Sequence, residues 1–211
     1  MANKQRKPVA VTRYIKAMLT LASEADIQQG KDWYQRARDL AYRLCEVYDN
    51  VTIEQAVGVI AALSPNNKWE RNCADAEALI KGQWMGADLK MIKVCTFNKN
   101  KDKAISILNL SGDDLSSDIE AILNGRKVVA FYRCIMGHDD TVCVDGHAYA
   151  IWLGERVPTT KTPSISATLY QTITRAYVNV AKDSPTVCGE QLTPAEVQAV
   201  TWVTYRRLLG Y

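Results

Sequence analysis

The stretch from 119 to 154, IEAILNGRKVVAFYRCIMGHDDTVCVDGHAYAIWLG, is where residue types and spacing could do chemistry. It reads as a short helix, a tight turn at Asn124-Gly125 and a second helix opening at Arg126-Lys127. After a connector, Val144-Asp145-Gly146-His147-Ala148 opens a third helix, with Asp145 at its start. Two helices joined by a tight turn can hold a phosphate, because backbone amides at a turn and at a helix N-terminus point outward as donors. Gly125 is expected at positive φ to make that turn. Asp145 also suits plain helix capping, since an aspartate accepts from first-turn amides. His147 reads as a residue packed or hydrogen-bonded near the same helix start.

Metal chemistry finds little footing. Cys143-Val144-Asp145-Gly146-His147 puts three ligand types within five residues, but no second cluster completes a site. The histidines are His138 and His147 alone. Six cysteines, at 45, 73, 95, 134, 143 and 188, include no C-x-x-C pair and are too scattered for an iron–sulfur cluster. They read as reduced, buried thiols of a cytosolic protein. No metal and no cofactor is expected.

The rest of the composition sets bounds. Lys+Arg 26 against Asp+Glu 23 leaves 26 − 23 = +3 over 211 residues, which permits an anionic partner without demanding one. A hydrophobic share of 47% and a charged share of 23% exclude a disordered chain. The length suits a single domain over 1–211, or two closely packed lobes within it. Thr12, Arg13 and Lys16 break the apolar stretch that a signal peptide needs. Nowhere do about 18 apolar residues run together, so no membrane span is expected. These features point to a cytoplasmic monomer, in a bacterium or in the host cell of a virus.

The elements that must position the 119–154 stretch are helices. Residues 31–48 place Trp33, Tyr34, Ala37, Leu40, Ala41, Leu44, Cys45 and Tyr48 near one face. Thr52-Ile53-Glu54-Gln55 has the form of a capping box and leads into an all-apolar run, AVGVIAALS, so this helix should be central. Ser64-Pro65-Asn66-Asn67 ends it. Ser117-Asp118-Ile119-Glu120 and Thr193-Pro194-Ala195-Glu196 are two further boxes, and 164–181 and 194–208 are long enough for C-terminal helices. Only Thr141–Val144 looks extended. Connections fall at 154–163 and 183–193. Lys4, Arg6 and Lys7, and Lys99 to Lys103, are basic clusters that are either solvated or in contact with phosphate. Trp69, Trp152 and Trp202 are expected in the core. About ten helices and no sheet make the expectation an all-α fold.

The 119–154 stretch resembles the helix–hairpin–helix DNA glycosylases of the endonuclease III type. Their hairpin has the form L-P-G-V-G-R-K-T-A, and a V-D-T-H element follows it with the catalytic aspartate. Here the hairpin end is Asn124-Gly125-Arg126-Lys127 and the aspartate element is Val144-Asp145-Gly146-His147, with 18 residues from Lys127 to Asp145. Ala61 to Asn67 resembles the family's L-L-S-x-Q element, and Phe97-Asn98 through Lys103-Ala104 its N-x-K-A segment. The likeness covers roughly 50–155. It departs at Leu123 and Asn124, where the family hairpin has a glycine and an apolar residue, and in lacking the iron–sulfur cysteines of some members.

The resemblance implies the two-lobed HhH-GPD glycosylase fold and excision of a damaged or modified base from duplex DNA. It carries the catalytic aspartate onto Asp145 and the lyase-type lysine onto Lys127, with a pocket between two helical lobes for the extruded base. Asn66 takes the position that fills the gap in the duplex, with Asn67 beside it. Asn124, Gly125 and Arg126 take the phosphate-holding turn. The apolar run Val128-Val129-Ala130-Phe131 is expected to bury the helix start at Lys127 in part. The rival expectation is a non-catalytic DNA-binding protein that kept the fold; a helical protein–protein adaptor has only the helical pattern behind it.

Overall fold

Helical periodicity carries through the chain. A computed structural model describes residues 11–183 and 191–210, and every regular element among them is a helix. In chain order these are α1 (Arg13–Thr20), α2 (Glu24–Lys31), α3 (Trp33–Val47), α4 (Ile53–Leu63), α5 (Trp69–Trp84) and α6 (Asn98–Leu108). Then come α7 (Leu115–Leu123), α8 (Arg126–Met136), α9 (Gly146–Leu153), α10 (Ala167–Asp183) and α11 (Pro194–Leu208). Short 3-10 turns lie at Leu89–Met91 and Thr159–Lys161. The fold class is all-α, and Thr141–Val144 forms no strand. Lys4, Arg6, Lys7, Cys188 and most of the 183–193 connection lie outside the described residues.

The helices divide into two compact units. One joins the segment ending at Trp33 to the segment beginning at Asp139; the other is Tyr34–His138. In the Tyr34–His138 unit, α4 is the central rod, packed by α5, α6, α7 and α8. Every residue from Gln55 to Leu63 is buried, as its all-apolar run requires. Gln55 is the polar exception and is fully used. Its Oε1 accepts from Thr52 N at 3.0 Å in the capping box, while Nε2 donates to the carbonyls of Ile107, Leu108 and Leu110. One amide thereby caps the start of α4 and the end of α6.

In the other unit, α11 is central and packs on α1, α2, α9 and α10. Its core includes Ile15, Val144, Ile151, Ile173, Tyr177 and Val200. Gly30 lets α2 lie against α11, because a Cβ there would stand 2.5 Å from Val200 Cα. Asp26, 3% exposed, closes a Ser23 capping box and accepts from Arg207 Nε at 2.9 and 2.8 Å, which locks α2 to the end of α11. The Thr193 box forms as expected.

One expected box does not form. Asp114, not Ser117, caps α7, accepting from Ser117 N at 3.3 Å, so the helix starts at Leu115 and Ser117 lies inside it. Glu120 instead accepts from Arg133 Nε at 2.6 Å, tying α7 to α8.

Candidate functional site

The hairpin is built from α7, the Asn124-Gly125 turn and α8. Lys103 Nζ donates to the carbonyl of Leu123 at the end of α7. Thus Lys103 is not a purely solvated charge, and neither is Lys101, whose Nζ donates to Lys90 O at 2.6 Å. Below the turn, Ser116 Oγ and Tyr132 OH lie 3.1 Å apart.

The turn differs from expectation at its centre. Gly125 is extended, at φ −156° and ψ 124°, and Asn124 carries the left-handed conformation, at φ 44° and ψ 44°. Asparagine tolerates that region better than other residues with a side chain, because its short amide can hydrogen-bond locally. Gly125 is therefore left as the N-cap of α8, where it supplies no side-chain acceptor. A Cβ on Gly125 would meet nothing closer than Leu123 O at 3.7 Å. Asn124 and Arg126 are exposed. Lys127 is exposed as well, against the expected partial burial, because it lies in the first turn of α8 and the buried positions of that helix begin only at Ala130.

Asn66 and Asn67 lie in the turn after α4 and point to different duties. Asn66 is exposed at φ 58°. Asn67 turns inward, its Nδ2 donating to Asp75 Oδ2 at 3.0 Å. Asn66 lines an open depression of about 360 Å³ with Val94, Cys95, Thr96 and Phe97. Phe97 is 57% exposed. Sequence reasoning missed Asp75, and took Phe97 only as the first residue of the segment that resembles the N-x-K-A element. Asp75 had a signal: with Asn72, Ala76 and Leu79 it falls on the buried stripe of α5, where a carboxylate needs a reason.

In the other unit, Asp145 caps α9. Its Oδ1 accepts from Ala148 N at 2.8 Å and its Oδ2 lies 3.5 Å from His147 Nδ1. Both side chains are about one-fifth exposed, Asp145 at 23% and His147 at 22%. The imidazole stands edge-on to Tyr205 and Trp202, at centroid distances of 5.8 and 6.4 Å. Trp202 in turn meets Trp33 at 4.8 Å and carries the Arg206 guanidinium over its ring. Trp69, Trp152 and Trp202 are half-buried rather than core.

The approach to Asp145 is anchored from behind. Val144 N donates to Tyr170 OH at 3.1 Å, and that hydroxyl donates to Val142 O at 3.1 Å. Tyr177 OH reaches Ala148 O at 3.3 Å. Burial pushes the Tyr177 hydroxyl well up, and the negative charge of Asp145 adds to the shift, so it stays protonated as a donor. Among the described residues no three His, Cys, Asp or Glu side chains are grouped to hold a metal ion, and Cys143, Asp145 and His147 do not form such a group. Among the same residues no helix is long and apolar enough to cross a membrane.

The model of the family described as Family of unknown function (DUF7178) matches residues 1–208. No curated protein and no solved structure matches the chain.

Proposed function

The chain belongs to that DUF7178 family, and we propose that this member is a DNA glycosylase with the helix–hairpin–helix fold, releasing a damaged or modified base from duplex DNA. The observation that carries the reading is Asp145, a half-buried carboxylate at the start of the helix that follows the α7–turn–α8 hairpin. A base in the duplex stack is out of reach, so the nucleotide must first be flipped out. Loss of the base leaves positive charge on the sugar. Asp145 is suited to stabilise that charge and to orient or deprotonate water with Oδ2, while Oδ1 keeps the side chain fixed on Ala148 N.

The hairpin supports DNA as the ligand. Asn124, Arg126 and Lys127 are exposed around an α8 start that has no side-chain cap, an arrangement that favours phosphate oxygens. Lys127 supplies the amine of a lyase step after base release. Its exposure favours the second reading, a DNA-binding protein without base release, in which Lys127 meets phosphate only.

A panel of duplexes with oxidised, deaminated, alkylated and hypermodified bases separates the two. Wild type should create abasic sites in at least one duplex, and Asp145→Asn should not. Duplex binding that weakens with salt while no duplex loses a base leaves the binding protein.

A further inference from the structure

The turn after α4 and the segment before α6 are fastened together by one buried carboxylate. Asp75 on α5 is 2% exposed and accepts three N–H donors: Cys95 N at 2.7 Å, Arg71 Nε at 2.8 Å and Asn67 Nδ2 at 3.0 Å. A second seam runs alongside. Thr96 Oγ1 donates to Pro65 O at 3.0 Å and accepts from Asn100 Nδ2 at 2.8 Å. Such a carboxylate contributes little net stability, since an apolar residue of similar size often does as well. What it does fix is geometry, including a turn in which Asn66 holds a left-handed conformation that few residues adopt.

The two segments present a surface suited to a nucleic-acid strand. Asn66, Cys95, Thr96 and Phe97 line the depression. Phe97 offers an exposed ring, with Lys99 Nζ 5.8 Å from its centroid. Along the chain, Lys90, Lys93, Lys99, Lys101 and Lys103 flank this segment against Asp102 alone; Lys101 and Lys103 donate to the carbonyls of Lys90 and Leu123, and Lys99 stands at the Phe97 ring. Aromatic surface with surrounding positive charge is the combination that takes bases and phosphates together.

We propose that Asp75 is a positioning residue for a DNA-contacting surface, holding the Asn66 turn and the Cys95–Phe97 segment in one preformed arrangement. The inference rests on DNA being the ligand, as proposed above, and not on base release.

Cys95 gives a direct readout because it is exposed in the depression. Burial, reinforced by the charge of Glu70, pushes the Cys73 thiol up to about 11, and burial raises Cys45 too, so both alkylate slowly. A short duplex carrying a tetrahydrofuran abasic analogue should slow maleimide labelling of Cys95 in the wild type roughly tenfold, read by peptide mass spectrometry. Asp75→Asn should raise the Kd for that duplex roughly tenfold and remove most of the protection. Asn66→Ala should weaken binding by the wild type yet add little in the Asp75→Asn background. If Asp75→Asn does not fold, Asn67→Ala removes one donor at the same carboxylate and should raise Kd severalfold.

Unprotected Cys95 at saturating duplex overturns the proposal. So does an Asp75→Asn variant that melts earlier but binds and protects as the wild type does, or an unchanged Kd in Asn67→Ala where that variant is needed. Protection of Cys95 without base release from any duplex sinks the glycosylase reading and leaves this inference standing. Base release without protection does the reverse.

Discussion

The starts of α8 and α9 were expected to carry the two reacting groups, and they are built in opposite ways. At α9 the carboxylate itself makes the cap: Asp145 Oδ1 accepts from Ala148 N, and tyrosines from α10 hold the backbone on either side. At α8 the cap is Gly125, with no side chain, and Lys127 stands exposed beyond it. A helix start can thus fix a functional group by using it as structure, or can leave the group exposed and offer only its position. The first arrangement suits charge stabilisation, which needs a preorganised oxygen. The second suits contact with a phosphate, which an exposed cation can make.

The largest expected effect is at the anchored end. Asp145→Asn should lower base release by roughly a hundredfold or more, about 2.7 kcal/mol of barrier, while the melting temperature hardly moves, since asparagine caps as well as aspartate. Asp145→Ala should lose the same activity and about 1 kcal/mol of stability besides. If the Asn variant keeps more than about a tenth of the wild-type rate, Asp145 is a cap and nothing more.

Asp26 shows what a capping aspartate does when its partners are purely structural. Burial alone would raise its carboxyl, but hydrogen bonds from Arg207 and from Ser23 outweigh that and hold it below the usual value. The folded value being depressed, the carboxylate stabilises the fold fully above its unfolded value of about 3.9, and that contribution is lost as pH falls through the folded value. Asp26→Asn should cost about 1–3 kcal/mol in urea unfolding at neutral pH. The gap between variant and wild type should close in acid. A gap that stays constant down to acid pH would mean that the Arg207 contact contributes no charge-dependent stability.

The turn before α8 comes next in size. Asn124→Val should cost about 1–2 kcal/mol, because a β-branched residue resists the left-handed region. Gly125→Ala should be nearly neutral, since the backbone there is extended and has room for a Cβ. If DNA binding depends on the shape of this turn, Asn124→Val weakens it for every sequence and Gly125→Ala does not. The opposite order would return the turning role to the glycine.

These contrasts also show what could be read from the residues. Helix spacing and two capping boxes were legible because each is a local device: Thr52 with Gln55, and Thr193 with Glu196, sit three apart and satisfy each other. The start of α9 was legible for the same reason. The turn at 124–125 was legible as a turn but not in its conformation, since both Asn and Gly adopt positive φ and the choice depends on how α7 and α8 are tied by Arg133 and Glu120. Asp75 and Arg207 act on partners far along the chain, 20 residues away at Cys95 and 181 at Asp26, and no local pattern announces such pairs. The exposure of Lys127 depended on how far along α8 burial begins, at Ala130 rather than at the first turn, and the apolar run beside it left that open.

The smallest expected effect tests the exposed end of the comparison. Lys127→Gln removes a surface charge that burial does not hold, so stability should change by less than about 0.5 kcal/mol. Base release should also stay within a few-fold of the wild type, because Asp145 with water can accomplish that step without an amine. What the substitution should abolish is the covalent trace of a lyase: borohydride added during the reaction reduces the imine between an amine and the opened sugar, leaving a protein–DNA adduct. Wild type should give that adduct and Lys127→Gln should not. Should Gln give as much adduct as wild type, another amine attacks. Intact abasic sites and no adduct from wild type would remove the lyase step and confine Lys127 to phosphate contact. In that case the lysine's loss should appear as a shallower salt dependence of duplex binding, by about one charge.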